Sequence, residues 1–312
     1  MQKYYSGLMI LEHGLDEGIF CKGKGWQIGF ESNPSSHIIT GGEPSKEIVV
    51  YAQTVDRAQY VVDMILAAYC LRTGETLTSD PVPVFPKRAK TTKEIEEQML
   101  AGGVNSIGTY NLPASCLIAA KVSQKNIYQY GIFKYLLSCR AVPIGARSLD
   151  PQGDWVPGKV VSELPQVHVS NANAITLGYS VLEELSFDIQ ASSEIPSRID
   201  GRWNPVVKED LQERLIKGRI NLSERILWHL RDTPTKIERT RKPPSLRKCE
   251  WAKSRVRDEY ADIVEAIAYA SWLRSKVSAH RLSKLAKSLT IYDVANVQHL
   301  ARRLLLETLG NL

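Results

Sequence analysis

The feature that most constrains this chain is a change in the spacing of its apolar residues near residue 109. Before that point, short runs of β-branched and aromatic residues alternate with Gly, Asn, Pro and Ser, as strands and turns do. After it, apolar residues recur every three or four positions, which is the spacing of helices. The sequence therefore predicts an α+β chain, with a small mixed α/β N-terminal module followed by an all-α helical bundle.

The pattern places a domain boundary between residues 1–105 and 106–312. The N-terminal module contains one clear helix from Thr54 to Arg72, with Gly74 just beyond its end. A proline-rich stretch after this helix is interpreted as a linker. Two loop insertions, near 141–165 and 232–250, interrupt the helical region. Six helices are predicted there, over 113–140, 173–190, 204–218, 222–230, 251–279 and 290–309.

Composition indicates an ordinary globular protein that can bind a polyanion. Of 312 residues, 43% are apolar and 24% are charged, and the formal net charge is +6. The five cysteines are scattered and form no CxxC pair, so we expect neither a disulfide framework nor a metal site. We also expect no signal peptide, no membrane span and no cofactor, and a cytoplasmic location.

One arginine interrupts the apolar face of the predicted helix 251–279. On a wheel of 100° per residue, Arg274 falls in the middle of a stripe of apolar side chains. A guanidinium on a packing face is costly unless it is paired, or unless that face borders a polar cleft or a subunit seam. The stripe consists of Val256, Tyr260, Ile263, Ile267, Ala270 and Val277.

His280 follows six residues later, close to the predicted end of the same helix. An unbroken helix would separate the two side chains by about 240°, so they converge only if the helix ends or bends, or if a second subunit contributes. Arginine matches phosphate oxygens, and histidine transfers protons near neutral pH. The alternative is that Arg274 and His280 are simply cations favoured near a helix C-terminus.

The string Leu-Arg-Ser-Lys-Val-Ser-Ala-His at 273–280, a polar loop, and then the helical pattern of 293–306 resemble the end of a HEPN domain. That family's signature is an arginine, four to six intervening residues and a histidine, between two helices. Five residues intervene here. The resemblance covers roughly residues 109–312 and implies that the predicted bundle has a HEPN-like fold.

Many HEPN proteins are metal-independent endoribonucleases that act as dimers, often as toxins or in antiviral defence. The resemblance implies that Arg274 holds the scissile phosphate and that His280 handles the proton of the 2′-hydroxyl or of the leaving 5′-oxygen. It also implies a homodimer formed through the helices. Ser275 departs from the larger polar residue, such as asparagine, that often follows the arginine.

Arg274 needs an acidic partner if it is buried or faces a seam, and we expect Glu183 to provide it. Glu183 lies at the edge of the apolar stripe of the predicted helix 173–190. A solvated carboxylate on a helix flank is the alternative. We therefore treat Arg274, His280 and Glu183 as the candidate catalytic residues.

A basic segment from Lys236 to Arg257 contains nine basic residues and only two acidic ones. With Trp251 nearby, it is suited to binding a phosphate backbone and stacking a base, although it also fits a solvated surface loop. The predicted RNA-binding residues are Arg239, Arg241, Lys242, Arg247, Lys248 and Lys276.

Three functions fit these patterns. The first is a HEPN-type endoribonuclease, and the second is a HEPN protein that binds RNA without cutting it. The third is a dimerisation or interaction protein of antitoxin type, in which the N-terminal module recognises a protein partner. A fold by itself does not decide among them.

Overall fold

A computed structural model describes most of the chain. It covers residues 1–10, 15–33, 46–76, 82–88, 91, 93–94, 111–141, 147–149, 155–157, 165–200, 202–231, 247–249, 254–278, 289 and 291–310. Contacts divide the chain into two compact units, Met1–Leu136 (unit 1) and Leu137–Asn311 (unit 2). The predicted boundary between residues 105 and 106 lies outside the described residues.

Among the residues that the structure describes, unit 1 contains a four-stranded antiparallel sheet, two helices and most of a third, which ends in unit 2. The strand order in the sheet is β1-β4-β3-β2. Phe85 forms a bridge with Tyr5 on β1, so the stretch interpreted as a linker runs along the sheet. The elements are β1 (Gln2–Ile10), β2 (Gly18–Gly23), β3 (Trp26–Ser32), β4 (Lys46–Ala52), α1 (Val55–Thr73), α2 (Leu112–Val122) and α3 (Asn126–Arg140).

Helix α1 confirms the predicted N-terminal helix and covers one face of the sheet. The hydroxyl of Thr54 accepts a hydrogen bond from the amide of Arg57, and Gly74 ends the helix in the left-handed region at φ 83°. Strand residues such as Ile28 and Val50, which pair across β3 and β4, are fully buried. Burial of this apolar face against α1 is the core of unit 1.

The predicted helix 113–140 is in fact two helices, α2 and α3. The hydroxyl of Ser123 donates to the carbonyl of Ala120 at 2.7 Å. Such side-chain bonds compete with the regular helical ladder, and the chain turns over residues 123–125 before α3 begins. Helical spacing on both sides of the break concealed it in the sequence.

Unit 2 is mostly helical and includes three small sheets. Helix α4 packs against α7, with Gly178 at the crossing, where a Cβ would lie 3.0 Å from Val297 Cγ1. The elements are β5 (Arg147–Leu149), β6 (Trp155–Pro157), α4 (Pro165–Glu184), β7 (Arg198–Ile199), β8 (Arg202–Trp203), α5 (Pro205–Lys217), β9 (Arg225–Arg231), β10 (Arg247–Cys249), β11 (Ser254–Asp262), α6 (Ile263–Trp272), a π-helical segment (Leu273–Ser278) and α7 (Ile291–Leu309).

The α+β class and the order of a sheet followed by a mostly helical region are confirmed. The prediction that residues 106–312 are all helical is wrong in detail. The predicted helix 222–230 is largely strand β9, and the first third of the predicted helix 251–279 is strand β11, which pairs with β9. Ile226 and Trp228 alternate into the core, which is the spacing of a strand.

The helices at the end of the chain are better predicted. Asn204 caps α5 by accepting from the amide of Val206, and Gly218 follows the end of this helix, as expected. Helix α7 confirms the predicted last helix. No described helix has the length and apolar character needed to cross a bilayer.

Candidate functional site

Arg274 lies on a π-helical segment that continues helix α6. Helix α6 begins at Asp262, whose carboxylate accepts from the amide of Glu265 at 2.9 Å, and its α-helical ladder ends at Trp272. Residues 273–278 then adopt π-helical bonding. Such segments are rare and occur often at functional sites. They also change the rotation per residue, so the 100° spacing of an α-helix does not continue over Leu273–Ser278.

The apolar stripe on which Arg274 was placed exists only in part. Val256 and Tyr260 lie on strand β11, so they do not share a helical face with Arg274. Ile263, Ile267 and Ala270 are buried on α6, as predicted. Arg274 therefore extends a packing face that is one helix long, and it lies where the regular α-helix has ended.

Glu183 on α4 forms an ion pair with Arg274, as expected from the sequence. Arg274 Nη2 lies 3.2 Å from Glu183 Oε1, and the two side chains are 41% and 37% exposed. Both side chains of the pair are therefore partly exposed to solvent. Part of the guanidinium stays accessible while its orientation is constrained from one side.

Tyr179, one helical turn before Glu183, completes this contact. The guanidinium carbon of Arg274 lies 6.0 Å from the centre of the Tyr179 ring, at the outer limit of a cation–π contact. The phenol is buried, and this burial raises its pKa more than the hydrogen bond with Ser271 lowers it. Tyr179 is thus neutral at physiological pH and offers Arg274 an uncharged aromatic surface.

Tyr179 was not identified from the sequence. The available signal was its spacing from Glu183, because residues four apart on a helix lie on the same side. If Glu183 on α4 contacts Arg274, then Tyr179 must lie on the side of α4 that faces Arg274. We call Tyr179, Glu183 and Arg274 the arginine site.

Ser275, the position that departs from the HEPN pattern, forms a hydrogen bond within its own helix. Its hydroxyl donates to the carbonyl of Ser271 at 2.7 Å. This back-bond to the preceding turn gives the side chain a local structural role.

The remaining predicted site residues lie partly outside the described residues. His280 lies outside the described residues, as do Arg239, Arg241 and Lys242. Arg247 and Lys248 lie on strand β10, which pairs with β11, and Lys276 lies on the π-helical segment. The described residues therefore bring together Arg274 and Glu183 of the predicted set.

A second charged cluster, in unit 1, was missed by the sequence reasoning. Glu47 on β4 is buried, and its carboxylate accepts from Arg88 Nε, Asn33 Nδ2 and the amide of Gly7, each at 3.1 Å. Arg88 also contacts Glu31, which is opposite Glu47 on β3. The sequence signal for this cluster was Glu47 itself, a glutamate directly before the apolar run of β4.

Burial governs the electrostatics of this cluster. It raises the pKa of Glu47, and Arg88 and the amide of Gly7 lower that pKa only in part. Arg88 lies 4.9 Å from the centre of the Tyr5 ring and donates to the carbonyl of Ser32 at 3.0 Å. Through its bonds to Glu47, Glu31 and the carbonyl of Ser32, Arg88 holds the segment 82–88 against the sheet. We call it the sheet clamp.

Neither cluster has the composition of a metal site. Within the part of the chain that the structure describes, no three His, Cys, Asp or Glu side chains are grouped as metal ligands. The arginine site instead offers a cation, a carboxylate and an aromatic ring. This combination is suited to holding an anion such as a phosphate.

Comparison with known proteins provides no relative for this chain. No family model, no curated protein and no solved structure matches it. The resemblance to the HEPN family therefore depends on the Arg-x5-His spacing and its setting between helices.

Proposed function

We propose that this chain is a metal-independent endoribonuclease of the HEPN type, acting as a homodimer in a toxin-like or defence role. The observation that supports this proposal most directly is the arginine site. Arg274 is partly exposed, oriented by Glu183 at 3.2 Å and located on a π-helical segment six residues before His280. A structural ion pair alone would not require this departure from the α-helix.

In the proposed reaction, Arg274 donates hydrogen bonds to the non-bridging oxygens of the scissile phosphate. Its charge then stabilises the additional negative charge that develops as the 2′-oxygen attacks phosphorus. His280 accepts the 2′-hydroxyl proton or donates a proton to the leaving 5′-oxygen. The bond from phosphorus to the 5′-oxygen breaks, which leaves a cyclic 2′,3′-phosphate and a 5′-hydroxyl.

Glu183 is the positioning residue in this scheme. It contacts one end of the guanidinium, so the remaining donors keep a fixed direction without losing their charge. By pairing with Arg274, the Glu183 carboxylate lowers the entropy cost of aligning this side chain with a phosphate. We expect Glu183→Gln to slow cleavage less than Arg274→Ala does.

A cleavage assay in EDTA tests the proposal. Total RNA is incubated with wild type, Arg274→Ala and His280→Ala, with Arg202→Ala as a control that removes an exposed arginine elsewhere in unit 2. We expect the first two substitutions to lower the rate by about 10²- to 10³-fold each, the usual cost of removing one transition-state donor. The control should cleave like wild type.

The products and the concentration dependence are equally informative. Cyclic 2′,3′-phosphate ends should appear with wild type and with Arg202→Ala but not with Arg274→Ala or His280→Ala, and the specific activity should rise with protein concentration if two copies form the site. Absence of cleavage by wild type at any concentration, or full activity of Arg274→Ala, would exclude the proposal.

The second candidate function is RNA binding without cleavage, through the basic segment 236–257. It is favoured by the register of the hairpin, which pairs Lys248 on β10 with Arg255 on β11. Like charges opposite each other in a sheet are destabilising unless an anion lies near them. If binding alone is the function, neutralising Arg247 and Lys248 should weaken binding and reduce its salt dependence, while Arg274→Ala binds normally.

A further inference from the structure

Unit 1 has a surface that combines exposed cations with tyrosines at the junction of three elements. The β2–β3 turn, the first turns of α1 and the start of α3 meet there. Arg57 donates from Nη2 to the carbonyl of Lys24 at 2.7 Å, and the amide of Lys24 donates to Ser123 Oγ at 3.1 Å. We call it the tyrosine–lysine surface, and it consists of Lys24, Arg57, Tyr60, Lys125, Tyr128 and Tyr130.

The tyrosines of this surface lie beside its cations. The guanidinium of Arg57 lies 5.1 Å from the centre of the Tyr60 ring, and Lys125 Nζ lies 5.6 Å from that of Tyr128. Tyr130 is 61% exposed, so most of its ring is accessible to a ligand. The Tyr60 hydroxyl donates to Oε1 of Gln129, the residue directly before Tyr130, and the Tyr130 phenol helps burial to raise the pKa of Tyr60, so the two tyrosines lie close together on this surface.

The backbone beneath the surface is well fixed. At the β2–β3 turn, a Cβ on Gly23 would meet the Trp26 ring at 2.1 Å, and Gly25 has φ 78°. The turn therefore requires glycine on both sides of Lys24. Gln129 links α3 to the end of α2, because its Nε2 donates to the carbonyl of Ser123 at 3.0 Å. These side chains project from a preorganised scaffold.

Acidic residues are absent from the sequence that forms α2 and α3. The sequence contains no Asp or Glu between Glu97 and Asp150, a stretch that includes all of α2 and α3. No described acidic side chain pairs with Lys24 or Lys125. Lys24 and Lys125 therefore have no carboxylate partner among the described residues, which is the pattern expected of a polyanion-binding site, whereas Arg57 follows Asp56 on α1.

We propose that the tyrosine–lysine surface binds single-stranded nucleic acid. Lys24, Arg57 and Lys125 contact successive phosphates, and the exposed ring of Tyr130 stacks on an unpaired base. Stacking and cations together are the usual means of binding a single strand without sequence preference. A duplex presents phosphates but no free base faces, so it can use only half of these contacts.

This binding goes beyond the proposed ribonuclease chemistry and does not depend on it. It gives unit 1 a role of its own, in holding a strand. The test therefore uses probes that cannot be cut by attack of a 2′-hydroxyl. Failure of the arginine site would leave the result unchanged.

Fluorescence anisotropy with the full chain tests the proposal. The probes are labelled 12-mers of DNA and of 2′-O-methyl RNA, a duplex of the same sequence, and poly-glutamate of equal charge. We expect both single strands to bind more tightly than the duplex and the poly-glutamate. Equal binding of poly-glutamate, or tighter binding of the duplex, would overturn the proposal. The two single strands, compared with each other, show whether RNA or DNA is preferred.

Two variants separate the contributions of charge and stacking. Lys24→Glu with Lys125→Glu should weaken binding by at least tenfold and reduce the slope of log K against log salt by about 1.4, at roughly 0.7 for each lost phosphate contact. Lys208→Glu with Lys217→Glu on α5 makes the same change in net charge and should have little effect. Equal losses in both double variants would refute a localised surface.

Tyr130→Ala should weaken binding of single strands by about fivefold or more, the usual effect of losing one stacking ring. Tyr130→Phe retains the ring and should restore binding. Because Tyr130 is exposed, neither change should alter the unfolding transition. Wild-type binding by Tyr130→Ala, or failure of Tyr130→Phe to restore it, would show that the ring does not stack on a base.

Discussion

Two arginine–glutamate pairs in this chain have nearly the same length and very different surroundings. In the sheet clamp, Arg88 Nε lies 3.1 Å from Glu47 Oε2, and the side chains are 20% and 4% exposed. In the arginine site, Arg274 Nη2 lies 3.2 Å from Glu183 Oε1, with 41% and 37% exposed. Distance alone would assign both pairs the same role, whereas burial separates them.

The difference lies in what each carboxylate loses if its arginine is removed. Glu47 would remain in the protein interior with Asn33 and the amide of Gly7 as its donors, and a buried charge without a counter-ion is costly. Glu183 would regain water. The sheet clamp therefore stabilises the fold, and the arginine site leaves its cation available to a ligand.

The largest effect should follow from Arg88→Ala. The substitution leaves Glu47 buried without its cation and should lower the free energy of unfolding by about 3–5 kcal/mol. Urea unfolding of the full chain, followed by circular dichroism, measures this loss. A change below about 1 kcal/mol would mean that the pair is as replaceable as a surface ion pair.

Arg88→Lys should cost less, about 1–2 kcal/mol, because the charge is kept while the planar fork is lost. Arg88 contacts Glu47, Glu31 and the carbonyl of Ser32 through different nitrogens, which one ammonium cannot reproduce. The same unfolding experiment ranks wild type, Lys and Ala. If Arg88→Lys had the same free energy of unfolding as wild type, the positive charge alone would account for the stabilising effect of Arg88.

The strongest sequence predictions were those with a local cause. Helix α1 was predicted with nearly correct bounds because Thr54 and Gly74 mark its ends within the sequence itself. Strands β9 and β11 were missed because each is stabilised by the other, and their paired residues lie roughly 25 to 37 positions apart. The spacing within one window does not reveal such a partner.

The two arginine pairs illustrate the same limit. Glu183 was found because an arginine on a packing face requires a carboxylate, and α4 offered one at the edge of its own apolar stripe. Arg88 and Glu47 were missed because Arg88 follows a proline-rich stretch that has no periodic pattern. Only the pairing of Phe85 with β1 brings Arg88 to the sheet.

Glu47 should also make the stability of the sheet clamp depend on pH. Since burial raises the pKa of Glu47, the folded chain binds this proton more tightly than the unfolded chain does. Its contribution to stability is therefore complete below the ordinary pKa of Glu and falls as the pH rises through the raised folded value. Arg88 reduces this loss without abolishing it.

Unfolding of wild type and of Glu47→Gln from about pH 4.5 to pH 7 measures this contribution, because the glutamine does not titrate. We expect the stability of wild type relative to Glu47→Gln to decline across that range. A difference that stays constant, or that rises with pH, would show that the charged form of Glu47 is the favoured one in the folded chain.

The smallest effect on stability should come from Arg274→Ala, at no more than about 1 kcal/mol, because Glu183 is exposed enough to be rehydrated. A small loss would show that Arg274, unlike Arg88, is not needed for folding. If Arg274→Ala unfolds at nearly the same urea concentration as wild type and yet cuts no RNA, its cation serves the ligand and not the fold. A loss of about 3 kcal/mol or more would place Arg274 with Arg88 as a structural residue, and would remove the main support for a nuclease site on the π-helical segment.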